Sequence, residues 1–177
     1  MAKVGVTKFH DPTDVPYGCF SVLSPHAVVV RYVQYPSAHH FFLCERFKGS
    51  AAEQEIRTAT SLWEVDCIVK KAEQCGWQRE DWDKLKTDVM LLGCYYKFKQ
   101  NPDALALLLQ TGTKTIVDHT ANDSFWGDGG DGTGKNLLGV ILMAVRKRLL
   151  SDEKIRSKRS GETKTAAPPQ PPQPKKK

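Results

Sequence analysis

The sequence predicts an α+β fold, a compact and mainly helical single domain with a small β-sheet. The segment from residue 4 to residue 35 is rich in β-branched and aromatic side chains and is broken by prolines, a pattern typical of short strands joined by turns. The following chain, as far as residue 150, repeats apolar residues three or four positions apart, which is typical of amphipathic helices. A chain of 177 residues with 40% hydrophobic content is long enough for one core and short for two.

Each element has its own local signal. In the N-terminal segment, residues 28–30 form the strongest strand core, and Ser37 is a candidate N-cap for a first helix that ends at Gly49. Apolar spacing predicts further helices at 51–59, 62–75 and 82–101, and Asp103 is predicted to cap a helix at 104–110. A strand at 114–120 and an apolar final helix at 136–150 complete the domain.

The end of the chain differs in composition from the rest. Residues 151–177 hold 8 of the 26 Lys and Arg residues and 3 of the 20 Asp and Glu residues, so they carry +5 of the net charge of +6. Residues 1–150 are therefore nearly neutral, which disfavours a dedicated DNA- or RNA-binding domain. Because the last segment is charged and then Pro-rich, we predict a folded domain over 1–150 and a disordered basic tail over 151–177.

The tail and the overall composition limit which partners and which cellular locations we expect for the protein. PxxP spacings fit an SH3-type partner, and Lys/Arg clusters fit a nuclear-import signal or a nucleic-acid tether, although such tails more often only aid solubility. The chain shows no signal-peptide pattern and no apolar run of about 18 residues. Its five cysteines are scattered without a CxxC pair. We expect no membrane association, no metal site and no cofactor, and a cytoplasmic protein for which a nuclear location stays open.

The loop at 122–136 is the most informative segment for function, because it places glycines, aspartates and two aromatic residues before an apolar helix. Glycines let backbone amides approach a ligand, and a helix N-terminus favours an anion. We therefore expect Gly129, Gly134, Lys135 and Asn136 to hold phosphate, with Trp126 stacking on a base. An internal turn explains any single glycine equally well. The near match to GxxxxGK[ST] does not indicate a P-loop ATPase, because too little chain follows it.

Individual side chains add catalytic candidates. Asp123, three residues before Trp126, is a candidate acid or base, with turn formation as an equal alternative. Trp82 is a second candidate for stacking, with core packing slightly favoured. His39 and His40 point about 100° apart on a helix, so we place His39 at a cleft and His40 in the core. The remaining carboxylates that could act as an acid or base, or ligate a cation, are Asp118, Asp128 and Asp131.

Matching positions across residues 6–150 make the chain resemble the NADAR or YbiA-like family. The matches are Phe9, Tyr17-Gly18, Phe20-Ser21, Tyr35-Pro36-Ser37, His40, Phe47, Asp81-Trp82, Lys86, Val89-Met90, Lys97-Phe98, Thr111-Gly112, Asp123, Trp126-Gly127 and Gly134-Lys135-Asn136 with Gly139. The resemblance implies a helix-rich α+β domain that cleaves N-glycosidic bonds, either in phosphorylated riboflavin-pathway intermediates or between ADP-ribose and guanine. It adds Ser21 and Gly127 to the substrate-binding candidates. The expected ligand is a ribose phosphate or ADP-ribose, including ADP-ribose carried on nucleic acid.

The chain departs from the family motifs at four polar positions. This chain has Val22 where the family motif has Asn, His39 where it has a catalytic Glu, Leu43 where it has Gln and Arg46 where it has Lys. The family arrangement places all four positions opposite the Gly-rich loop. Neutral His39 can act as a general base near its usual pKa of about 6.5, but it cannot supply the negative charge that stabilises a cation-like sugar. Two functions follow: an N-glycosidase with Asp123 and His39 as catalytic residues, or a degenerate module that binds ADP-ribose or a nucleotide without cleaving it.

Overall fold

Six α-helices dominate the part of the chain that the structure, a computed structural model, describes: the backbone of residues 5–164 and the side chains of residues 5–155. The helices are α1 (Ala38–Arg46), α2 (Ala51–Thr58), α3 (Leu62–Gln74), α4 (Trp82–Gln100), α5 (Pro102–Gln110) and α6 (Leu137–Lys164), and a 3-10 turn lies at Tyr17–Phe20. Together with four short strands they confirm the predicted α+β class.

The strands form two small sheets. β1 (Val6–Phe9) pairs in parallel with β4 (Thr115–Asp118), and β2 (Val28–Val30) pairs with β3 (Val33–Tyr35) as an antiparallel hairpin. Phe9 lies opposite Asp118, so the carboxyl ends of β1 and β4 meet at one edge. The segments that leave this edge, from His10 and from His119, therefore start side by side.

Side-chain caps set the starts of the helices where the sequence predicts them. The Ser37 hydroxyl accepts a hydrogen bond from the His40 amide at 3.3 Å and caps α1, and Ser61 caps α3 in the same way at 3.2 Å. The prediction for α5 is wrong at its start, because Asn101 and not Asp103 is the N-cap residue. Pro102 takes the first helical position, where its missing amide hydrogen costs nothing.

Glycines let the central elements approach one another. A Cβ atom at Gly93 of α4 would lie 3.0 Å from the Phe41 ring of α1, and one at Gly139 of α6 would overlap the Ile116 carbonyl oxygen of β4. The core is built between these elements, with Phe41, Ile116 and Leu142 almost fully buried. Gly139 thus brings α6 directly against the strand that ends at Asp118.

Helix α6 is longer than predicted, since it continues through Lys164 and not to residue 150 alone. Residues 151–164, assigned to a disordered tail by composition, are therefore helical. The segment contains no proline and is rich in Lys, Arg and Glu, which have high helix propensity. Residues 165–177, the rest of the predicted tail, lie outside the described residues. Across the described residues, no helix has the length and hydropathy needed to cross a membrane.

Candidate functional site

A pocket of about 250 Å³ opens at the edge where β1 and β4 end. One wall comes from the segment after the 3-10 turn, with Ser21 and Val22, and a second from α1, with His39 and Phe42. The opposite wall comes from the end of β4 and the following loop. It contributes Asp118, Thr120, Asp123 and Trp126. The fold therefore gathers acidic, aromatic and imidazole side chains from distant parts of the sequence.

Asp123 lines this pocket and also shapes the turn on which it lies. Its Oδ1 accepts hydrogen bonds from the Phe125 amide at 3.0 Å and from the Trp126 amide at 2.8 Å. Its Oδ2 makes no hydrogen bond to any described residue, so that oxygen is available to a ligand. Of the two interpretations of the sequence, catalysis and turn formation, the turn is observed directly, and the geometry is compatible with both.

Asp118 is the acidic residue of the pocket that sequence reasoning did not distinguish. It is buried at the end of β4 and accepts a hydrogen bond from the Thr120 hydroxyl at 2.6 Å. Burial raises the pKa of its carboxyl, the hydrogen bonds from Thr120 oppose this shift, and the neighbouring Asp123 and Asp128 carboxylates add to it. A carboxylate at the C-terminal end of a predicted strand, directly before a Gly-rich loop, was the signal that could have identified it.

The two other carboxylates of the loop serve its own structure. Asp128 is buried, lies 2.9 Å from His119 Nδ1 and accepts the Gly130 amide. Asp131 is exposed and binds the Thr133 amide and hydroxyl. Neither lines the pocket. Among residues 5–155, no group of three His, Cys, Asp or Glu side chains is arranged to hold a metal ion.

His39 lies in the α1 wall, while His40 is buried and its Nδ1 lies 2.8 Å from the Ser37 hydroxyl. Burial lowers the pKa of His39 to about 4, the adjacent His40 adds to this, and Asp66 opposes it. The ring is therefore neutral at pH 7. This corrects the expectation of a general base near its usual pKa, because a desolvated imidazole holds a proton only weakly.

The two tryptophans have different positions. Trp126 lines the pocket, and its ring meets Phe42 edge-on at 5.6 Å. Trp82 is 5% exposed and packs against the far side of this wall, 4.8 Å from the Phe42 ring. Trp82 does not line the pocket, so it supports Phe42 from the core and is not placed to stack on a ligand.

The Gly-rich loop does not offer its amides as a phosphate cradle, contrary to the sequence prediction. The loop amides donate inside the loop: Gly129 to Asp123 O, Gly130 to Asp128 Oδ1, Gly132 and Gly134 to Asp128 O, Lys135 to Ser124 O, Asn136 to Gly127 O, Leu137 to Phe125 O and Leu138 to Trp126 O. These hydrogen bonds pair the backbone donors of the loop with acceptors of the same loop. Gly127 and Gly134 are required by close packing, since a Cβ at Gly134 would lie 2.6 Å from the Gly127 carbonyl oxygen.

Asn136 ties the end of the loop to β4. Its side-chain amide donates to the Ile116 carbonyl oxygen at 2.9 Å, and its Oδ1 accepts the Asp118 amide at 2.9 Å. Asn136, predicted to bind substrate, thus holds the strand that carries Asp118. Lys135 is exposed and lies outside the pocket, with its amine 5.2 Å from the centre of the Phe125 ring.

Ser21 is a buried pocket residue held from behind by a lysine. Its carbonyl oxygen accepts a hydrogen bond at 2.6 Å from Lys97 Nζ, which also donates to the Ser24 hydroxyl at 2.6 Å. Lys97 is fully buried on α4, and burial lowers the pKa of its amine to about 8. No sequence pattern distinguishes a lysine that supports a pocket wall from one that faces solvent.

Of the four positions that the sequence resemblance implies are departures from the family motif, two line the pocket. Val22 and His39 do so, and the His39 amide donates to the Val22 carbonyl oxygen at 3.1 Å. Leu43 is buried in the core, and Arg46 forms an ion pair with Glu73 at 2.8 Å. The expectation that all four share one half of the site is therefore wrong. Two helical turns carry Arg46 about 10 Å along α1, beyond the pocket.

The comparisons with known proteins agree on one family. The NADAR domain family model matches residues 8–150. N-glycosidase YbiA of Escherichia coli (strain K12) is 33% identical over 144 residues, covering 81% of this chain and 88% of that protein. N-glycosidase Npun_R5314 of Nostoc punctiforme is 34% identical over 139 residues, covering 76% of this chain and 86% of that protein.

Two further relatives extend the comparison. Riboflavin biosynthesis protein VVA0006 of Vibrio vulnificus is 33% identical over 141 residues, which are 80% of this chain and 38% of that protein. The NMR structure of the Escherichia coli protein YbiA superposes with a TM-score of 0.75 at 31% identity, covering 86% of this chain and 89% of that chain. This chain and YbiA are therefore similar in both fold and sequence.

Proposed function

Because the chain belongs to the NADAR family, we propose that it hydrolyses the N-glycosidic bond of a ribosylated, phosphorylated substrate. Relatives named N-glycosidase support an N-glycosidase-type function. The proposed substrates are ribose phosphates from the riboflavin pathway and ADP-ribose attached to guanine. A relative named riboflavin biosynthesis protein is consistent with the first class.

The observation that carries the proposal is that Asp118 and Asp123 line one pocket in different environments. Asp118 is buried, and burial raises the pKa of its carboxyl, which is the direction that a general acid needs. Asp123 is less buried, and its carboxylate orientation is fixed by two backbone amides. Glycoside hydrolysis needs an acid for the leaving group and a carboxylate for the cation-like sugar, and two carboxyl groups in unlike surroundings can divide these roles.

Asp118 and Asp123 together can supply the proton donor and the proton acceptor that hydrolysis requires. Asp118 gives its proton to the base nitrogen as the carbon–nitrogen bond breaks and the base leaves with the bonding electrons. Asp123 stabilises the positive charge on the sugar and accepts a proton from the water that attacks the anomeric carbon. Trp126 packs against the base, a contact worth about 1–3 kcal/mol. Neutral His39 hydrogen-bonds the sugar or base without adding charge.

Base release from amino-pyrimidine ribose phosphates and from ADP-ribosyl-guanosine tests this proposal. We expect Asp123→Ala and Asp118→Asn to lower kcat/KM by at least about 100-fold, as expected when a catalytic acid or base is removed. Asp131→Ala is the matched control, because Asp131 is an exposed aspartate of the same loop outside the pocket. Activity that survives both pocket substitutions would contradict the assigned roles.

A binding module is the second candidate, and the His39 environment favours it. The pocket is lined by the neutral imidazole of His39 and by the apolar Val22. The sequence resemblance implies Glu and Asn at these two positions. Calorimetry with ADP-ribose distinguishes the two functions: binding without turnover of either substrate supports the module. His39→Glu is the companion variant, since a gain of turnover would identify the missing charge at this position.

A further inference from the structure

Two lysines from different elements meet at one aromatic ring next to the pocket. Lys86 Nζ, from α4, lies 4.7 Å from the centre of the Phe125 ring, and Lys135 Nζ, from the loop, lies 5.2 Å from it. The Phe125 ring is itself 5.0 Å from the ring of Trp126, which lines the pocket. Both amines are therefore within about 10 Å of the Trp126 ring.

The charges around this ring are not balanced. Lys86 has one acidic partner, Asp83, at 2.7 Å, and the Asp83 side chain is 81% exposed. Lys135 has no acidic partner within 4.0 Å in the part of the chain whose side chains are described. An exposed ion pair is worth at most about 1 kcal/mol, so Lys86 exchanges Asp83 for a better anion readily.

The substrate phosphate needs donors that the Gly-rich loop does not supply. The amides of Gly129, Gly134, Lys135 and Asn136 are already engaged inside the loop. A phosphate that belongs to a ribose in the pocket extends away from the base, one sugar ring from the bond that breaks. The amines beside Phe125 lie at this range from Trp126.

We propose that Lys86 and Lys135 bind the phosphate group of the substrate beside the Phe125 ring while the pocket at Trp126 holds the base. This inference rests on the proposed function for the identity of the substrate. It assigns phosphate selection to two side-chain cations, one on a helix and one on the loop, and not to backbone amides. Ammonium groups bind phosphate as point charges and need no peptide donor.

Binding of ribose 5-phosphate and of ribose, measured by calorimetry on the full chain, tests the proposal without turnover. We expect Lys86→Met and Lys135→Met each to weaken ribose 5-phosphate binding at least about tenfold, the loss expected for one charge-assisted contact. Ribose binding should change by less than about twofold. Lys84→Met is the matched control, because Lys84 is an exposed lysine of the same helix.

Two results would overturn the proposal: wild-type protein that binds ribose 5-phosphate no tighter than ribose, or a Lys86→Met, Lys135→Met double variant that retains the phosphate preference. Circular dichroism melting of each variant ensures that the comparison uses folded protein. If the protein prefers ribose 5-phosphate in a way that depends on the two lysines but releases no base, the proposed hydrolysis is rejected and the lysine proposal is not. If the protein releases base but shows no lysine-dependent preference for ribose 5-phosphate, the proposed role of Lys86 and Lys135 is rejected and the proposed hydrolysis is not.

Discussion

At the scale of single residues, burial decides the charge of the groups around the pocket. His39 and Lys97 have lowered pKa values because desolvation disfavours their cationic forms, and Asp118 has a raised pKa because desolvation disfavours its anion. All three shifts favour a neutral form. At pH 7 the His39 ring is neutral, whereas Lys97, with a pKa of about 8, keeps its proton. Asp118 and Asp123 are the two acidic side chains that line the pocket.

The His39 shift predicts a pH dependence of stability. Its folded pKa of about 4 lies below the unfolded value of about 6.5, so the unfolded chain binds the proton first. The contribution of neutral His39 is complete above pH 6.5 and is lost as the pH falls towards 4. Urea unfolding at pH 7.5 and 4.5 should show that wild type loses about 2 kcal/mol more than His39→Gln. Equal losses in both proteins would contradict the burial of this imidazole.

The lowered pKa of Lys97 predicts a pH dependence of stability in the alkaline range. Its folded pKa of about 8 lies below the ordinary value of 10.5, so the unfolded chain holds the extra proton between these values. Stability should therefore rise with pH from 8 to 10.5, relative to a Lys97→Met variant, by about 3 kcal/mol. Chemical unfolding of both proteins at pH 7.5 and pH 10.5 measures the difference. A constant difference across this range would show that the amine is not desolvated.

Asn136 predicts a stability effect that depends on two hydrogen bonds. Asn136→Ala removes the partners of the Ile116 carbonyl and the Asp118 amide, so we expect a loss of about 1–3 kcal/mol in the free energy of unfolding. Asn122→Ala is the control, since Asn122 also has a positive φ, is exposed and makes no side-chain hydrogen bond to a described residue. If both substitutions lower the free energy of unfolding equally, the hydrogen bonds between the Asn136 side chain and β4 do not stabilise the fold.

At the scale of elements, the site depends on how closely α6 approaches β4. Gly139 is the contact point, because any Cβ atom there overlaps the Ile116 carbonyl oxygen. The same strand ends at Asp118, and the loop between strand and helix carries Asp123 and Trp126. The spacing of α6 and β4 therefore sets the shape of the pocket edge.

Gly139→Ala tests this spacing. We expect the added methyl group to push α6 from β4 and to cost about 3 kcal/mol or more in unfolding free energy, as a backbone overlap in a packed core does. Val140→Ala is the control on the next residue, which is 50% exposed and should cost less than about 0.5 kcal/mol. Thermal or urea unfolding of the two variants measures the contrast, and similar midpoints would contradict the packing argument.

At the scale of the whole molecule, the described lining of the pocket lies inside the part of the chain that matches the family. Every lining residue that the structure describes falls between His10 and Leu138, and the family match ends at residue 150. Residues 151–177 carry +5 of the net charge, and we propose a nucleic acid as the partner of this segment.

Removing residues 165–177 tests whether activity at the pocket depends on this segment. We expect kcat/KM for a small ribosyl substrate to stay within about twofold of wild type, because the truncation keeps all the described residues that line the pocket. If the tail contacts nucleic acid, loss of its three terminal lysines should also reduce the salt dependence of DNA binding, by up to about three in slope. Unchanged DNA binding in the truncated chain would reject the tether.

Local chemistry predicted much of the fold. Ser37 caps α1 as expected, and the apolar spacing located α2, α3, α4 and β4 to within a few residues. Caps and periodicity act over one or two turns, so they can be read from neighbouring residues. The start of α5 and the end of α6 were wrong, since Pro102 can begin a helix and charged residues can continue one.

The sequence by itself determined the class of the fold, the positions of most helices, the family and the candidate residues Asp123, His39 and Trp126. Only the tertiary structure decided which residues share the pocket. It placed Asp118 there, moved Arg46 and Trp82 away, and engaged the loop amides within the loop. The physical reason is range: caps and periodicity are local, whereas burial, desolvation and the pairing of β1 with β4 depend on segments more than one hundred residues apart.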